Sequence, residues 1–150
     1  MKHINEEFIY SFIKQHRCAV LSTISSDNKP EAALVGIAVT PDLKIIFDTL
    51  SDSRKYANLL LNPYIALVIG WDNDASLQYE GKVCFATGDA LESIKESYFD
   101  FFPDGIERLS WPNIRYLCVE PMWVRYTDFN YDTMRIEELD LSHKISIPVI

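Results

Sequence analysis

The sequence predicts a mostly β fold, an antiparallel barrel with short helices on its rim. Three observations carry this. Apolar and β-branched runs of strand length recur through the chain, short turn clusters join neighbouring runs, and helical spacing appears only in brief stretches. Short links favour antiparallel pairing, because a parallel pair needs a long crossover.

The elements follow in order. Ile4, Phe8, Ile9, Phe12 and Ile13 form one stripe of a 3.6-residue period, which predicts a first helix. Asn5 or a neighbour can cap it, and Glu6 and Glu7 suit the positive end of its dipole. Cys18 to Ile24 is apolar and β-branched and reads as a strand. Ser25-Ser26-Asp27-Asn28-Lys29-Pro30 is a turn, so Glu31 to Thr40 returns antiparallel to it. Pro41-Asp42 opens another tight turn into a third strand, Lys44 to Thr49, completing a meander.

Leu50 to Ser53 breaks the pattern. Tyr56, Leu59 and Leu60 have helical spacing, and Asn62-Pro63 ends a short helix over residues 52–61. Tyr64 to Trp71 is nearly all apolar, the mark of a strand covered on both faces. After Asp72-Asn73-Asp74, Ser76 to Leu91 reads as one long strand, or two broken at Gly88, with Gly81 marking a bulge or a close backbone approach. Residues 91–102 are helical up to Pro103-Asp104-Gly105, with a short helical piece over Ile106 to Leu109. Ile114 to Val119 and Met122 to Thr127 read as two strands hinged at Glu120-Pro121, and Met134 to Leu139 as a last one. The tail from Asp140 has little periodicity.

Length and charge bound the function. A chain of 150 residues is expected to form one domain. Fourteen Lys and Arg against 22 Asp and Glu leave a net charge of −8, which argues against a nucleic-acid partner. No apolar run approaches the ~18–20 residues of a membrane helix. The N-terminus turns acidic at once and does not read as a signal peptide, so the expected location is cytoplasmic. The three cysteines, Cys18, Cys84 and Cys118, are widely spaced in apolar stretches and read as buried free thiols. No C-x-x-C occurs, and His3, His16 and His143 lack ligand spacing, so no metal site is expected. Five glycines without a G-x-G-x-x-G or Walker pattern exclude a Rossmann or P-loop motif. Glu137-Glu138 and Glu92/Glu96 read as solvated faces. No Ser/His/Asp or Cys/His order emerges, and no catalytic residue is assigned.

One segment carries chemical information. Thr49-Leu50-Ser51-Asp52-Ser53-Arg54-Lys55 joins a strand end to a helix start. A first helical turn has unpaired N–H groups and partial positive charge, so Arg54 and Lys55 stand against the dipole there. Serine hydroxyls, free N–H groups and an Arg fork suit a phosphate. The alternative is a solvated helix start with Arg54 paired to Asp52 or Glu31.

The order of elements, with AVLSTISSDNKPEAALVGIAV, the Thr-x-x-x-Ser-Arg-Lys-x-x-Asn-Leu turn, NPYIALVIGW followed by SLQYEGKV, and the late PMWVRYTDF strand, resembles the FMN-binding split-barrel family. This is the superfamily of pyridoxamine 5′-phosphate oxidase and the small general-stress flavoproteins. The resemblance implies a split β-barrel and a homodimer with FMN in the groove between subunits. The function it implies is a flavin-dependent oxidoreductase of unknown small-molecule substrate. A non-catalytic module holding flavin, haem or a deazaflavin is the alternative.

Carried over residue by residue, Thr49, Ser53, Arg54 and Lys55 match the family's phosphate and ribityl contacts. Val35, Gly36 and Ile37 match the backbone that passes the ring, and Gln78, or Ser76 on the same strand face, matches a polar contact from the partner's strand. Trp123 and Arg125 lie in a strand that could reach the groove, or read as core Trp and surface Arg. The Tyr98-Phe99-Phe101-Phe102 cluster reads as core or dimer contact, or as pocket lining. Two departures count against pyridoxamine 5′-phosphate oxidation. Ala32 to Val39 lacks the oxidase's basic residues, and Leu139 to Ile150 lacks its substrate segment.

Overall fold

A computed structural model describes residues 3–144; the first two residues and the tail after Lys144 lie outside the described residues. The elements are α1 (Glu6–Lys14), β1 (Cys18–Ile24), β2 (Pro30–Gly36), β3 (Ala38–Val39), β4 (Ile45–Leu50), α2 (Arg54–Leu61), β5 (Tyr64–Ile69), β6 (Ala75–Cys84), α3 (Gly88–Phe101), β7 (Ile114–Asp128) and β8 (Arg135–Asp140). Short 3₁₀ turns occupy Pro103–Ser110 and Ser142–Lys144.

All strand pairs are antiparallel, in the order β2-β1-β5-β6-β7-β4-β3, with β8 added on β7. The two ends of that order, β2 and β3, are consecutive pieces of one chain segment. The sheet therefore curls until its ends meet, and the barrel is split where the segment leaves β1 for β4. Ile37 sits at the switch and donates its N–H to the Arg17 carbonyl at 3.0 Å. The antiparallel barrel with rim helices is thus the observed architecture, but the single strand expected over Glu31 to Thr40 is two. A curled sheet cannot keep one strand paired to both ends along its whole length.

Inside, Leu21, Ile37, Phe47, Leu67, Leu77 and Val119 are buried. Full burial of such a side chain contributes roughly 1.5–3 kcal/mol. The Tyr79 hydroxyl is buried with them and donates to the Leu43 carbonyl at 2.8 Å, so its polar atom is satisfied. α1 packs Ile9 and Ile13 on the core, and the Asn5 side chain caps it by accepting from Phe8 N–H at 2.8 Å.

Other expectations need correction. The strand expected over Ser76 to Leu91 ends at Cys84. α3 starts at Gly88, whose φ of +60° suits glycine, with Thr87 at the N-cap position. Ile114–Asp128 is one strand, because its proline is absorbed by a bulge. Glu80 opposes Trp123 and Gly81 opposes Pro121, so Met122 is the extra residue. Gly81 is also a close approach: a Cβ there would lie 2.5 Å from Val119 Cγ1 and 2.6 Å from the Glu120 carbonyl oxygen.

β5, expected to be covered on both faces, buries Ile65, Leu67 and Ile69 but exposes Tyr64, Ala66 and Val68, the alternation of a strand covered on one face. Of the cysteines expected to be buried, only Cys118 is. Cys18 and Cys84 point to the barrel exterior and are exposed. The tail begins by docking: Leu141 is buried and donates its N–H to the Met122 carbonyl at 2.8 Å. Among the described residues no helix is long and apolar enough to cross a membrane.

Candidate functional site

β4 carries Thr49 to the end of the barrel, and the chain turns into α2. Ser53 is the N-cap: its Oγ accepts from Tyr56 N–H at 3.3 Å and lies 3.0 Å from Thr49 Oγ1. The first turn of α2 contains no acid and begins Arg54-Lys55. The Thr49 and Ser53 hydroxyls thus meet where β4 passes into α2, and Arg54 and Lys55 follow in the first turn of the helix.

Arg54 forms an ion pair with Glu31 on β2. Glu31 also accepts from the Asn58 amide at 2.8 Å, and that amide donates to Thr23 Oγ1 at 2.9 Å. The Arg54 guanidinium, then the Asn58 amide, hold the Glu31 carboxyl below its usual range, and Glu31 in turn raises Arg54. Glu31, Thr23, Ala33, Arg54 and Lys55 line a hollow of about 250 Å³ between β1, β2 and α2. The ion pair with Glu31 is one of the two sequence-level alternatives for Arg54. Asn58 belongs to the Thr-x-x-x-Ser-Arg-Lys-x-x-Asn-Leu motif and Thr23 lies in the first hairpin, but neither carries an expected role, because their contact forms only when α2 packs on β1.

The remaining expected residues lie elsewhere. The Val35 side chain is in the core and Ile37 is buried. Gly36 lies under the Phe102 ring, which a Cβ would approach to 3.0 Å. Phe102 stacks on Tyr98 at 5.0 Å, and the Arg17 guanidinium stands 4.8 Å from its centre. Ser76 and Gln78 point outward from β6. Gln78 belongs to a row of directly opposed residues, Leu34, Val20, Val68, Gln78 and Arg125, crossing five strands. Arg125 donates to Glu138 at 2.8 Å and Trp123 donates to the same carboxylate at 3.4 Å. Trp123 is half-buried on the outer face and is not a core residue.

A second polar cluster lies under α3. Arg108 donates to Asp48 at 2.9 Å. Burial, then Asp48, pushes the Tyr98 hydroxyl above its ordinary value. The Tyr116 hydroxyl is buried with no hydrogen-bond partner among the described residues. No spacing in the sequence marks this cluster.

This architecture, with hydroxyls and cations at the start of α2, defines a split-barrel protein. Residues 6–128 match the pyridoxamine 5′-phosphate oxidase family, and the chain belongs to that family. Pyridoxine/pyridoxamine 5′-phosphate oxidase of Nostoc punctiforme is 31% identical over 91 residues, covering 61% of this chain and 41% of that protein. The chain spans less than half the length of the curated relatives it matches. Among solved structures, a heme binding protein from Mycobacterium smegmatis superposes with a TM-score of 0.79 at 13% identity, over 93% of this chain and 60% of that one. A pyridoxamine 5′-phosphate oxidase-related, FMN binding protein from Nostoc punctiforme gives 0.62 at 12% identity, over 83% and 86%. At these identities the likeness is one of fold.

Proposed function

We propose that the chain binds FMN as a homodimer and serves as a flavin-dependent oxidoreductase acting on a small molecule. The observation that carries this reading is the start of α2, where two cations and no acid follow the paired Thr49 and Ser53 hydroxyls in the first turn. These groups fit a phosphate dianion: the hydroxyls and N–H groups donate, and Arg54 and Lys55 neutralise it. Glu31 is the opposing group, since a phosphate must share Arg54 with it. The bound flavin supplies the hydride chemistry, and the chain supplies position and electrostatics.

Haem is the other ligand that the fold neighbours raise. Among the described residues, no histidine, cysteine, methionine or tyrosine lines the hollow beside α2, so no ordinary axial ligand faces it. The missing basic residues over Ala32 to Val39 argue against pyridoxamine 5′-phosphate as substrate.

A second copy of the chain fits the outer face of β2-β1-β5-β6. Leu34 is 65% exposed, Val68 40% and Val20 37%, in one continuous row that ends at Gln78 and Arg125. In the dimer Gln78, or Ser76 beside it, serves the partner's ring, and the Val35–Ile37 backbone serves the ring of its own subunit. The test is titration of ligand-free protein with FMN, riboflavin and haem, read by flavin fluorescence quenching and the visible spectrum. FMN binding at low micromolar affinity or better, tighter than riboflavin, is the expected result, on the order of −8 kcal/mol. No quenching by FMN with the protein folded would reject the reading.

A further inference from the structure

Cys84, the last residue of β6, lies directly opposite Cys118 on β7. Opposed residues of an antiparallel pair point to the same face, with Cα atoms about 4.5 or 5.5 Å apart according to the type of pair. A disulfide accepts Cα separations of about 4.4–6.8 Å, so either type can be bridged. The two thiols line one hollow of about 320 Å³ between the strands and α3. They are unequal in access: Cys84 is exposed, whereas Cys118 is 5% exposed. Burial pushes the Cys118 thiol up to about 12, so Cys118 gives up its proton only as its bond to another sulfur forms. The third cysteine, Cys18, is opposed by Gly36 and has no cysteine across from it.

We propose that Cys84 and Cys118 form a two-electron redox site, closed to an intramolecular disulfide by a peroxide. Cys84 is the thiol that a peroxide can reach. Its sulfur attacks one oxygen of hydrogen peroxide, the O–O bond breaks, and Cys84 becomes a sulfenic acid as one water leaves. The Cys118 sulfur then attacks the Cys84 sulfur. The S–S bond forms, and the sulfenic hydroxyl departs with the Cys118 proton as a second water. Two thiols lose two electrons, and one peroxide is reduced to two waters. The Cβ atoms of opposed strand residues lie farther apart than those of a relaxed disulfide, so the bridge pulls β6 and β7 together and is readily reduced. It also closes a loop that contains the whole of α3.

The experiment uses Cys18→Ser protein, treated with hydrogen peroxide, alkylated under denaturing conditions and digested with trypsin without reductant. Lys82, Lys95, Arg115 and Arg125 set the cleavage sites, so the two cysteines fall on separate peptides. The expected result is one linked peptide pair joining Cys84 to Cys118 in a protein that runs as a single chain on a non-reducing gel. Dithiothreitol should return both thiols. In Cys118→Ala protein, Cys84 should stop at a sulfenic acid that dimedone traps. Should that variant not fold, the peptide map of the Cys18→Ser protein decides alone. Cys84 linked to a second chain, Cys84 carried to sulfinic acid while Cys118 remains a thiol, or both thiols left free would each overturn the proposal.

Discussion

Arg54 and Glu31 form an ion pair across the hollow between α2 and β2, and Asn58 holds the far side of the same carboxylate. Glu31 is therefore the partner that orients Arg54 and, under the proposed function, the charge with which a phosphate would compete for it. Because its pKa is held below the usual range, Glu31 would compete at every pH where a flavin phosphate is a dianion. Glu31→Gln keeps a carbonyl for Asn58 and removes the charge, so FMN affinity should rise severalfold. Arg54→Ala should lower it about tenfold or more. Riboflavin, which lacks the phosphate, should respond to neither. Fluorescence titration of both ligands against the three proteins checks this. A loss of FMN affinity in Glu31→Gln would show that orienting Arg54 outweighs competing for the phosphate.

Lys55 is half-buried in the same turn. Lys55→Ala should weaken FMN and leave riboflavin unchanged. Lys55 stands against the helix dipole with no acid in the first turn of α2, so ligand-free Lys55→Ala should melt no lower than wild type, whereas Arg54→Ala also gives up the ion pair with Glu31 and should melt slightly lower. A drop of several degrees in Lys55→Ala would assign that side chain to the fold.

Gly81 has no room for a side chain. In Gly81→Ala the new methyl meets Val119 Cγ1 and the Glu120 carbonyl, and one of them is backbone that cannot rotate away. The expected loss is about 1–3 kcal/mol of stability, read as a lower urea midpoint with an unchanged slope. A wild-type midpoint would mean that β7 yields at its bulge.

The same strand pair shows what the sequence made legible. Gly81 announces a close approach because a glycine inside a strand pattern has few other uses, and Ser53-Arg54-Lys55 announces a capped helix start with two cations in its first turn because local geometry alone sets it. Met122 as the bulged residue was not legible: the register that isolates it is chosen by β6. Nor was the break at Ile37, which lies in an unbroken apolar run and exists only because the sheet curls. Asn58 finds Thr23 from 35 positions away, through the packing of α2 on β1. Contacts of that range have no signature in local periodicity.

Tyr126 sets an alkaline limit. Its buried hydroxyl donates to Asp128 at 2.8 Å. Burial first, and Asp128 next, push it from an ordinary value near 10 up to about 12. The folded state prefers the neutral phenol, so this stabilisation is fully present below the ordinary value and is lost as pH climbs toward about 12. Tyr79, buried and also raised, adds to the same loss. Denaturant midpoints should fall through that window while tyrosinate absorbance rises. Tyr126→Phe should fall less steeply, although it starts lower because Asp128 has lost a donor. An unchanged slope in the variant would remove Tyr126 from the account.

Val68 lies at the centre of the exposed row, opposed by Val20 on one side and Gln78 on the other. An aspartate there meets solvent in a lone chain, so Val68→Asp should fold with a wild-type circular dichroism spectrum. In a dimer closed over this face it would be buried without a partner, and that desolvation cost should push the equilibrium to monomer. Light scattering at micromolar concentration should give a dimer mass for wild type and a monomer mass for the variant. If the partner's β6 completes the flavin groove, the monomer should also lose riboflavin and FMN together. Gln78→Ala tests the other half of the argument, since it removes a polar contact and leaves the apolar row whole. It should stay dimeric and weaken both flavins alike. A monomeric Val68→Asp protein that binds FMN as wild type does would detach the flavin site from the interface, leaving the Thr49–Lys55 corner to hold the ligand alone.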